Sequence, residues 1–105
     1  MSKILIIDTS DNKKIRIELE VNGKKEVLIS DSKNIRSQKT LLLIGKILKD
    51  KKIAVNTLSE IKVNKGPGSF TGLRVGVSIA NTISFFLKIP INGKPIGYLE
   101  EPVYN

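Results

Sequence analysis

The chain has 105 residues, enough for one domain with a single core, a formal net charge of +8, and neither cysteine nor histidine. The missing residue types exclude disulfides, thiolate metal sites, cysteine nucleophiles and imidazole chemistry, so a general base would be a carboxylate, a lysine or a substrate group. The positive charge favours acidic partners such as nucleic acid, but the lysine clusters lack interleaved arginine and aromatic residues, which favours a merely solvated surface.

The first third of the chain predicts an antiparallel meander of three strands. Residues 3–8 are predicted as a buried strand, because residues 4–7 form a continuous apolar run. Apolar and charged residues then alternate over residues 15–21, as in a strand with one face in the core. The pair Asn22-Gly23 suits a type I′ turn, because both residues tolerate a positive φ. Residues 24–30 are therefore predicted to return as the third strand.

A first helix is predicted over residues 33–50, with Asp31 or Ser32 as its cap. On a helical wheel one apolar arc would face the sheet, and it contains Leu41, Leu43, Ile44, Ile47 and Leu48. Ile35 and Leu42 fall together on the opposite side among lysines, which is a weak pointer to a partner. A connector over residues 53–58 and a fourth strand over residues 60–64 follow.

A glycine-rich turn leads from the fourth strand into a second helix, predicted over residues 70–88. We call this turn the motif loop, and its residues are Gly66, Pro67, Gly68, Ser69, Phe70, Thr71 and Gly72. Ser69 or Thr71 would cap the helix. Small residues then recur at every fourth position, at Gly72, Gly76, Ala80 and Ser84. Such a stripe predicts a close approach to a neighbouring helix or to the sheet.

The remainder of the chain completes the predicted lobe. Phe85 lies in the middle of the polar arc of the second helix, so it is either buried under the C-terminal segment or part of a protein interface. Residues 90–96 are predicted as a short fifth strand, and residues 99–105 as an irregular tail after a single lobe spanning residues 1–98. This order of elements predicts an α/β lobe with a mixed sheet, of the actin-like or ribonuclease H-like type.

Residues 66–76, which read Gly-Pro-Gly-Ser-Phe-Thr-Gly-Leu-Arg-Val-Gly, closely resemble the signature of the TsaB family, which is required for threonylcarbamoyladenosine formation in tRNA. The resemblance extends to residues 6–10 and to Ser37-Gln38, although Arg36 stands where the family usually has histidine. It implies an actin-like, non-catalytic scaffold without a metal or cofactor of its own. Members of the family are commonly about twice this length, so we expect a single-lobe form that retains the pairing half.

The resemblance also implies partners. A TsaD-like carbamoyltransferase, which carries the metal, would pair with the helices of this lobe, and a TsaE-like ATPase would join the larger complex, which handles the tRNA. We predict that Ile35, Leu42, Gly76, Asn81 and Phe85 form the partner interface, and that the chain alone can use the same surface to form a homodimer. The apolar run at the start is too short for a signal peptide or membrane span, so we expect a cytoplasmic protein without membrane contact.

Two alternatives remain open. Asp8, Thr9 and Ser10 stand where actin-like ATPases place a phosphate-facing loop, and the motif loop could cradle an anion at a helix N-terminus, which would make the chain a nucleotide or phosphate binder. Phosphoryl transfer, however, needs a metal held by several carboxylates, and few are suitably placed. The other alternative is direct binding of tRNA by the basic surface, which would weaken steeply as salt rises.

Overall fold

The computed structural model describes residues 2–31 and 35–104, which form a four-stranded sheet and two long helices. The strands are β1 (Lys3–Asp8), β2 (Lys14–Val21), β3 (Lys24–Asp31) and β4 (Glu60–Val63), and the helices are α1 (Arg36–Asp50) and α2 (Phe70–Leu87). The strand order is β3-β2-β1-β4, with β1 antiparallel to β2, β2 antiparallel to β3, and β1 parallel to β4. The predicted α/β class is confirmed: this is a single lobe of the actin-like and ribonuclease H-like type.

The β2–β3 hairpin has the predicted two-residue turn. Asn22 and Gly23 have φ values of 52° and 84°, and Val21 pairs with Lys24 across the turn. Both central residues therefore occupy the left-handed region that a type I′ turn requires. The turn fixes the register of the whole hairpin, from Val21 opposite Lys24 to Lys14 opposite Asp31.

Both helices pack against the same face of the sheet. α1 lies over β2 and β3, whereas α2 lies over β1 and β4. The strand side chains that they cover are almost completely buried, namely Leu5, Ile7, Ile15, Ile17, Leu19, Ile61 and Val63. Burial of one such side chain contributes roughly 1.5–3 kcal/mol, so this layer is the main source of stability. We call the opposite side, which neither α1 nor α2 covers, the outer face of the sheet.

The start of α1 differs from the prediction. The helix begins at Arg36, and Ile35 at the N-cap position makes no side-chain capping hydrogen bond. Asp31 ends β3, so its predicted role as a cap is wrong. Ser32, the other predicted cap, and Lys33 lie outside the described residues.

The buried arc of α1 is narrower than the predicted one. Leu41 was expected to face the sheet, but 55% of its surface is exposed, whereas Thr40 is fully buried. The Thr40 hydroxyl donates to the carbonyl oxygen of Arg36 at 2.8 Å, so it satisfies its polar group locally and can face the core. Ile44, Ile47 and Leu48 are buried as predicted.

The stripe of small residues along α2 faces the interior. Gly72, Gly76, Ala80 and Ser84 are all buried. The hydroxyl of Ser84 donates to the carbonyl oxygen of Ile89 at 2.7 Å, just beyond the helix end. Among the described residues, α2 is the one helix long and apolar enough to cross a membrane, and this buried stripe is what the core helix of a lobe requires.

The segment after α2 forms no fifth strand. The prediction over residues 90–96 reduces to a single parallel bridge between Ile61 and Ile91. Asn92 follows with a positive φ of 52°, and its side chain accepts from the amide of Val63 at 2.9 Å. The chain therefore turns away after covering part of the β4 edge.

Candidate functional site

The motif loop depends on contacts with the C-terminal segment. The peptide bond between Gly66 and Pro67 is cis, and Gly66 has a φ of 123°. A Cβ atom on Gly66 would overlap the carbonyl oxygen of Val103, whose amide donates to the carbonyl oxygen of Lys65 at 2.6 Å. Glycine is therefore required at this position both for its backbone conformation and for space.

The motif loop also packs on the turn that follows β1. Ser69 caps α2, because its hydroxyl accepts from the amide of Gly72 at 3.3 Å. The Ser69 amide donates to the carbonyl oxygen of Ser10 at 2.8 Å, and the buried Thr9 hydroxyl donates to the carbonyl oxygen of Gly72. Of the two predicted caps, Ser69 rather than Thr71 performs this role. The two predicted loops thus form one hydrogen-bonded unit.

Gly76 lies at the centre of this unit. A Cβ atom there would overlap the hydroxyl oxygen of Thr9, and one on Gly72 would overlap the Thr9 carbonyl oxygen. The small residues of α2 therefore allow the helix backbone to lie close to β1 and to the turn that follows it. This corrects the prediction that Gly76 belongs to a partner interface, because Gly76 is buried within the lobe and Thr9 occupies the space where a side chain would begin.

Asp8 is the acidic group of the unit. Its Oδ1 atom accepts from the Ser10 amide at 3.0 Å and from the Ser10 hydroxyl at 2.6 Å, and its Oδ2 atom accepts from the Asn64 side chain at 3.3 Å. Burial alone would raise the pKa of Asp8, but the hydrogen bonds from Ser10 and Asn64 and the charge of Arg16 outweigh it and lower the pKa.

The predicted phosphate loop is thus brought together with the motif loop, but its donors are engaged. The Ser10 amide and hydroxyl point to the Asp8 carboxylate, and the Thr9 hydroxyl points to Gly72. A phosphate would have to displace the negative charge of Asp8 from these donors. Within residues 2–31 and 35–104, no group of three or more acidic side chains lies in a metal-binding arrangement.

Arg36 holds the same turn from the side of α1. Its guanidinium donates to the carbonyl oxygens of Asp11 at 3.0 Å and Asn12 at 2.8 Å, and lies 3.5 Å from that of Thr9. Arginine can hold several carbonyl groups at once because its planar guanidinium carries five donors. The residue that replaces the expected histidine therefore ties the turn after β1 to the first turn of α1.

Asn81, predicted as an interface residue, instead binds the C-terminal segment. Its side chain donates to the carbonyl oxygen of Glu100 at 2.9 Å and accepts from the Glu100 amide at 2.8 Å. The Glu100 carboxylate is buried, with Asn92 at 2.8 Å and Lys65 at 3.3 Å. Residues that we expected to be an irregular tail are therefore tied to α2 and to the strand that precedes the motif loop.

The solvent side of the two helices carries a group of exposed apolar side chains. Of the predicted interface residues, Ile35, Leu42 and Phe85 are 65%, 64% and 62% exposed. Sequence reasoning missed two more, Leu41 and Phe86, the latter being 75% exposed. We call this set the helix face, and its members are Ile35, Leu41, Leu42, Phe85 and Phe86.

A shallow apolar groove of about 270 Å³ runs between α1 and α2, beside Leu41 of the helix face. Leu41 lines it from α1, and Ser78, Ile79, Thr82 and Ile83 line it from α2. The helical repeat places Phe86 on the same side of α2 as Ile79 and Ile83. Its ring meets that of Phe85 edge to face, with the centroids 5.5 Å apart. An exposed aromatic pair beside an apolar groove is typical of a protein interface.

This lobe, with a glycine-rich loop joined to the turn after its first strand, defines a protein of the actin-like class. A family model described as "TsaD: tRNA N6-adenosine threonylcarbamoyltransferase" matches residues 32–93. The chain belongs to this family and, within it, to the TsaB proteins.

Individual relatives agree with that assignment. The chain is 40% identical over 94 residues to the tRNA threonylcarbamoyladenosine biosynthesis protein TsaB of Buchnera aphidicola subsp. Schizaphis graminum, covering 86% of this chain and 42% of that protein. It is 38% identical over 89 residues to TsaB of Bacillus subtilis, covering 85% of this chain and 39% of that protein. The chain thus spans less than half the length of these relatives.

Solved structures support the fold. YeaZ from Pseudomonas aeruginosa superposes with a TM-score of 0.82 at 24% identity, covering 90% of this chain and 44% of that chain. The shared fold is therefore that of one part of a longer protein, and the lobe described above corresponds to that part.

Proposed function

We propose that this chain takes part in the biosynthesis of threonylcarbamoyladenosine in tRNA, as a non-catalytic scaffold that binds a TsaD-like carbamoyltransferase. The family match and the names of the relatives support the pathway. The composition supports a non-catalytic role, because the sequence lacks histidine and cysteine, and the best-placed carboxylate, Asp8, is engaged by Ser10 and Asn64.

The helix face is the single observation that carries the scaffold role. Five large apolar side chains on adjacent helices are exposed, none of them belongs to the core, and one of them, Leu41, lines an apolar groove between the helices. Burying them against an apolar helix would yield roughly 25 cal/mol for each Å² removed from water. An aromatic pair such as Phe85 and Phe86 is the kind of anchor that dominates binding energy at interfaces.

The wider assembly follows from the same proposal. A TsaE-like ATPase would join the pair, and tRNA would be bound by the complex rather than by this chain alone. The proposal implies a cytoplasmic location and requires no cofactor bound by this chain.

The experiment is co-expression with the TsaD-like protein of the same organism, followed by affinity capture and sizing of the complex. Phe85→Asp and Phe86→Asp should each weaken the pair by at least about a hundredfold, because burying an unpaired carboxylate costs several kcal/mol. Val55→Asp is the matched control, since Val55 is 44% exposed and lies in the connector after α1, outside the helix face. It should leave binding unchanged.

The alternatives predict different results. Binding of tRNA by the chain alone, lost steeply as salt rises, would favour direct tRNA contact by the basic surface. Tight magnesium-dependent binding of ATP that Asp8→Ala abolishes would favour a nucleotide binder. Failure to capture the TsaD-like protein at micromolar concentration would contradict the scaffold role.

A further inference from the structure

The two edges of the sheet are treated differently. At the β4 edge, the Ile61 amide donates to the carbonyl oxygen of Pro90 and the Asn92 amide donates to that of Ile61, both at 3.0 Å. At the other edge β3 runs for eight residues, and most of its side chains are exposed. Between the described residues, no backbone hydrogen bond from a turn or loop reaches residues 24–30. The β3 edge is therefore open along most of its length.

The hairpin turn determines which backbone groups this edge presents. A two-residue turn closes on a hydrogen-bonded pair, here Val21 and Lys24, so even-numbered residues of β3 direct their N–H and C=O groups toward β2. The amide of Asn22, which donates toward β1 at the carbonyl oxygen of Ser2, agrees with this alternation. Lys25, Val27 and Ile29 therefore direct their backbone groups away from the sheet.

The side chains along this edge do little to prevent pairing. Proteins usually protect an edge strand with proline, a bulge or central charges. β3 has neither proline nor a bulge in its register, and residues 27–30 are uncharged. Val27 and Ile29, which lie on the outer face, are 39% and 58% exposed. The charges lie toward the two ends, with Lys24, Lys25 and Glu26 at one end and Asp31 at the other.

We propose that β3 pairs antiparallel with β3 of a second copy of this chain about a two-fold axis, which joins two four-stranded sheets into one of eight strands. Charge complementarity selects the register, with Leu28 on the axis and Lys25, whose ammonium group also lies 3.9 Å from Glu20 of its own chain, opposite Asp31 of the second copy. Val27 then lies opposite Ile29 of the second copy. Each of these pairs occurs twice, and all of them lie on the outer face.

The two neighbouring symmetric registers are less favourable. Shifting by one step that preserves the faces of the sheet puts Val27 opposite its own copy and Lys25 opposite Ile29 in one direction, and Ile29 opposite its own copy and Val27 opposite Asp31 in the other, so the ion pairs are lost in both. Residues 25, 27, 29 and 31 all direct their backbone groups outward, so the backbone permits all three registers, each with hydrogen-bonded and non-hydrogen-bonded pairs in alternation. Apolar pairing and charge therefore select the register with Leu28 on the axis.

The pairing closes on itself and differs from the helix-face contact. The part of the chain that the structure describes has one such open strand edge, so a two-fold dimer through β3 uses it and leaves no free edge for a third copy. The helix face lies on the solvent side of α1 and α2, so one copy can bind a partner there and a second copy through β3. An edge contact is small, so we expect a dissociation constant on the order of micromolar to tens of micromolar.

The test is sedimentation equilibrium of the purified chain up to about 200 µM, where a contact of this strength is populated. The parent should form dimers. Lys25→Asp and Asp31→Lys should each weaken the dimer at least about tenfold, because each places like charges opposite one another twice. An equimolar mixture of the two variants should dimerise again, since every opposed pair is then of opposite charge.

Two further variants complete the design. Val27→Pro removes an outward N–H group that β2 does not use, so it should abolish the dimer while circular dichroism remains that of the folded chain. Lys62→Asp is the matched control, because it reverses a charge on the same face at β4, and it should leave the dimer unchanged.

Each of four other results would overturn the proposal. These are a chain that stays monomeric throughout, a dimer that the charge reversals do not weaken, an assembly that grows beyond two copies even when Phe85→Asp blocks the helix face, and a dimer that Phe85→Asp dissolves but Lys25→Asp does not. The last result would assign self-association to the helix face instead.

Discussion

The side chain of Asn81 and the backbone of Glu100 form a reciprocal pair of hydrogen bonds, at 2.9 and 2.8 Å, that joins α2 to the C-terminal segment. The carboxamide thus reproduces the pattern that two backbone groups make in a sheet. Asn81, which the helical wheel places on the polar arc of α2, therefore holds the C-terminal segment against that helix. We call this pair of hydrogen bonds the clamp.

We predict that Asn81→Ala lowers the free energy of unfolding by about 1–3 kcal/mol, because it leaves the amide and carbonyl groups of Glu100 partly buried without a partner. Chemical denaturation measures this loss. Thr82→Ala, one residue along, removes an exposed hydroxyl that bonds only within α2, so its effect should be much smaller. Equal stabilities of the two variants would show that the clamp contributes little.

Two glycines at helical positions, one in each helix, should respond oppositely to the same substitution. Gly76→Ala places a methyl group against the Thr9 hydroxyl and should destabilise the chain by about 1–3 kcal/mol through overpacking. Gly45→Ala meets nothing within 4 Å and should stabilise it by about 0.5–1 kcal/mol, because alanine is the better helix former. Thermal melts should therefore shift in opposite directions, and a parallel shift would contradict the packing described for α2.

Arg36 should be replaceable by neither alanine nor lysine without loss. Arg36→Ala removes the donors to the carbonyl groups of Asp11 and Asn12 and should cost about 1–2 kcal/mol. Arg36→Lys should recover only part of this, since an ammonium group cannot span carbonyls that a planar guanidinium reaches together. Amide hydrogen exchange over residues 9–12 gives the readout, and unchanged protection in Arg36→Ala would refute the role.

The pH dependence of stability should reveal the buried carboxylate of Glu100. Burial alone would raise its pKa, but hydrogen bonds from Asn92 and Lys65 and the charge of Lys65 lower it below the ordinary value of 4.5. A carboxyl whose pKa is lower in the folded state stabilises the fold above the unfolded pKa, and this contribution is lost as pH falls through the folded pKa.

We therefore expect the free energy of unfolding to fall as the pH is lowered from about 5 to 3. Asp8, whose pKa is also lowered, contributes in the same direction. Glu100→Gln should be less stable than the parent at pH 7 and should show a shallower decline, since it removes one of the titrating groups. Identical slopes for the two chains would contradict this assignment.

Local signals in the sequence were sufficient for most of the fold. Asn22-Gly23 fixed a turn through its own backbone preferences, and the α2 cap and small-residue stripe were visible within a few residues. The errors concern positions decided by distant contacts. Leu41 lies at the edge of the predicted arc, where burial depends on contacts with other elements. Thr40 lies near the centre of the arc and was left out because it is polar, although its hydroxyl bonds to Arg36 within the helix.

The candidate site was predicted less completely for the same reason. The motif loop and the turn at Asp8 were both identified, but the contacts of Gly76 with Thr9 and of Asn81 with Glu100 were not, because the two residues of each pair are far apart in sequence. Glu100 itself carried no local signal, since a glutamate in an irregular stretch is usually solvated. Phe86 was not predicted as an interface residue because Phe85, rather than Phe86, lies in the middle of the polar arc on the helical wheel.

The contact between Gly66 and Val103 constrains the order in which a nascent chain can become native. The motif loop lies in the middle of the chain, but its conformation is completed by residues 100–104, where Val103 bonds to Lys65 and Tyr104 packs on Phe70. During synthesis the three-stranded meander can form early, whereas the loop before α2 must wait for a segment made almost forty residues later. A chain still under synthesis would thus have its three-stranded meander before it has a finished glycine loop, and the emergence of residues 100–104 would be the step that sets the loop.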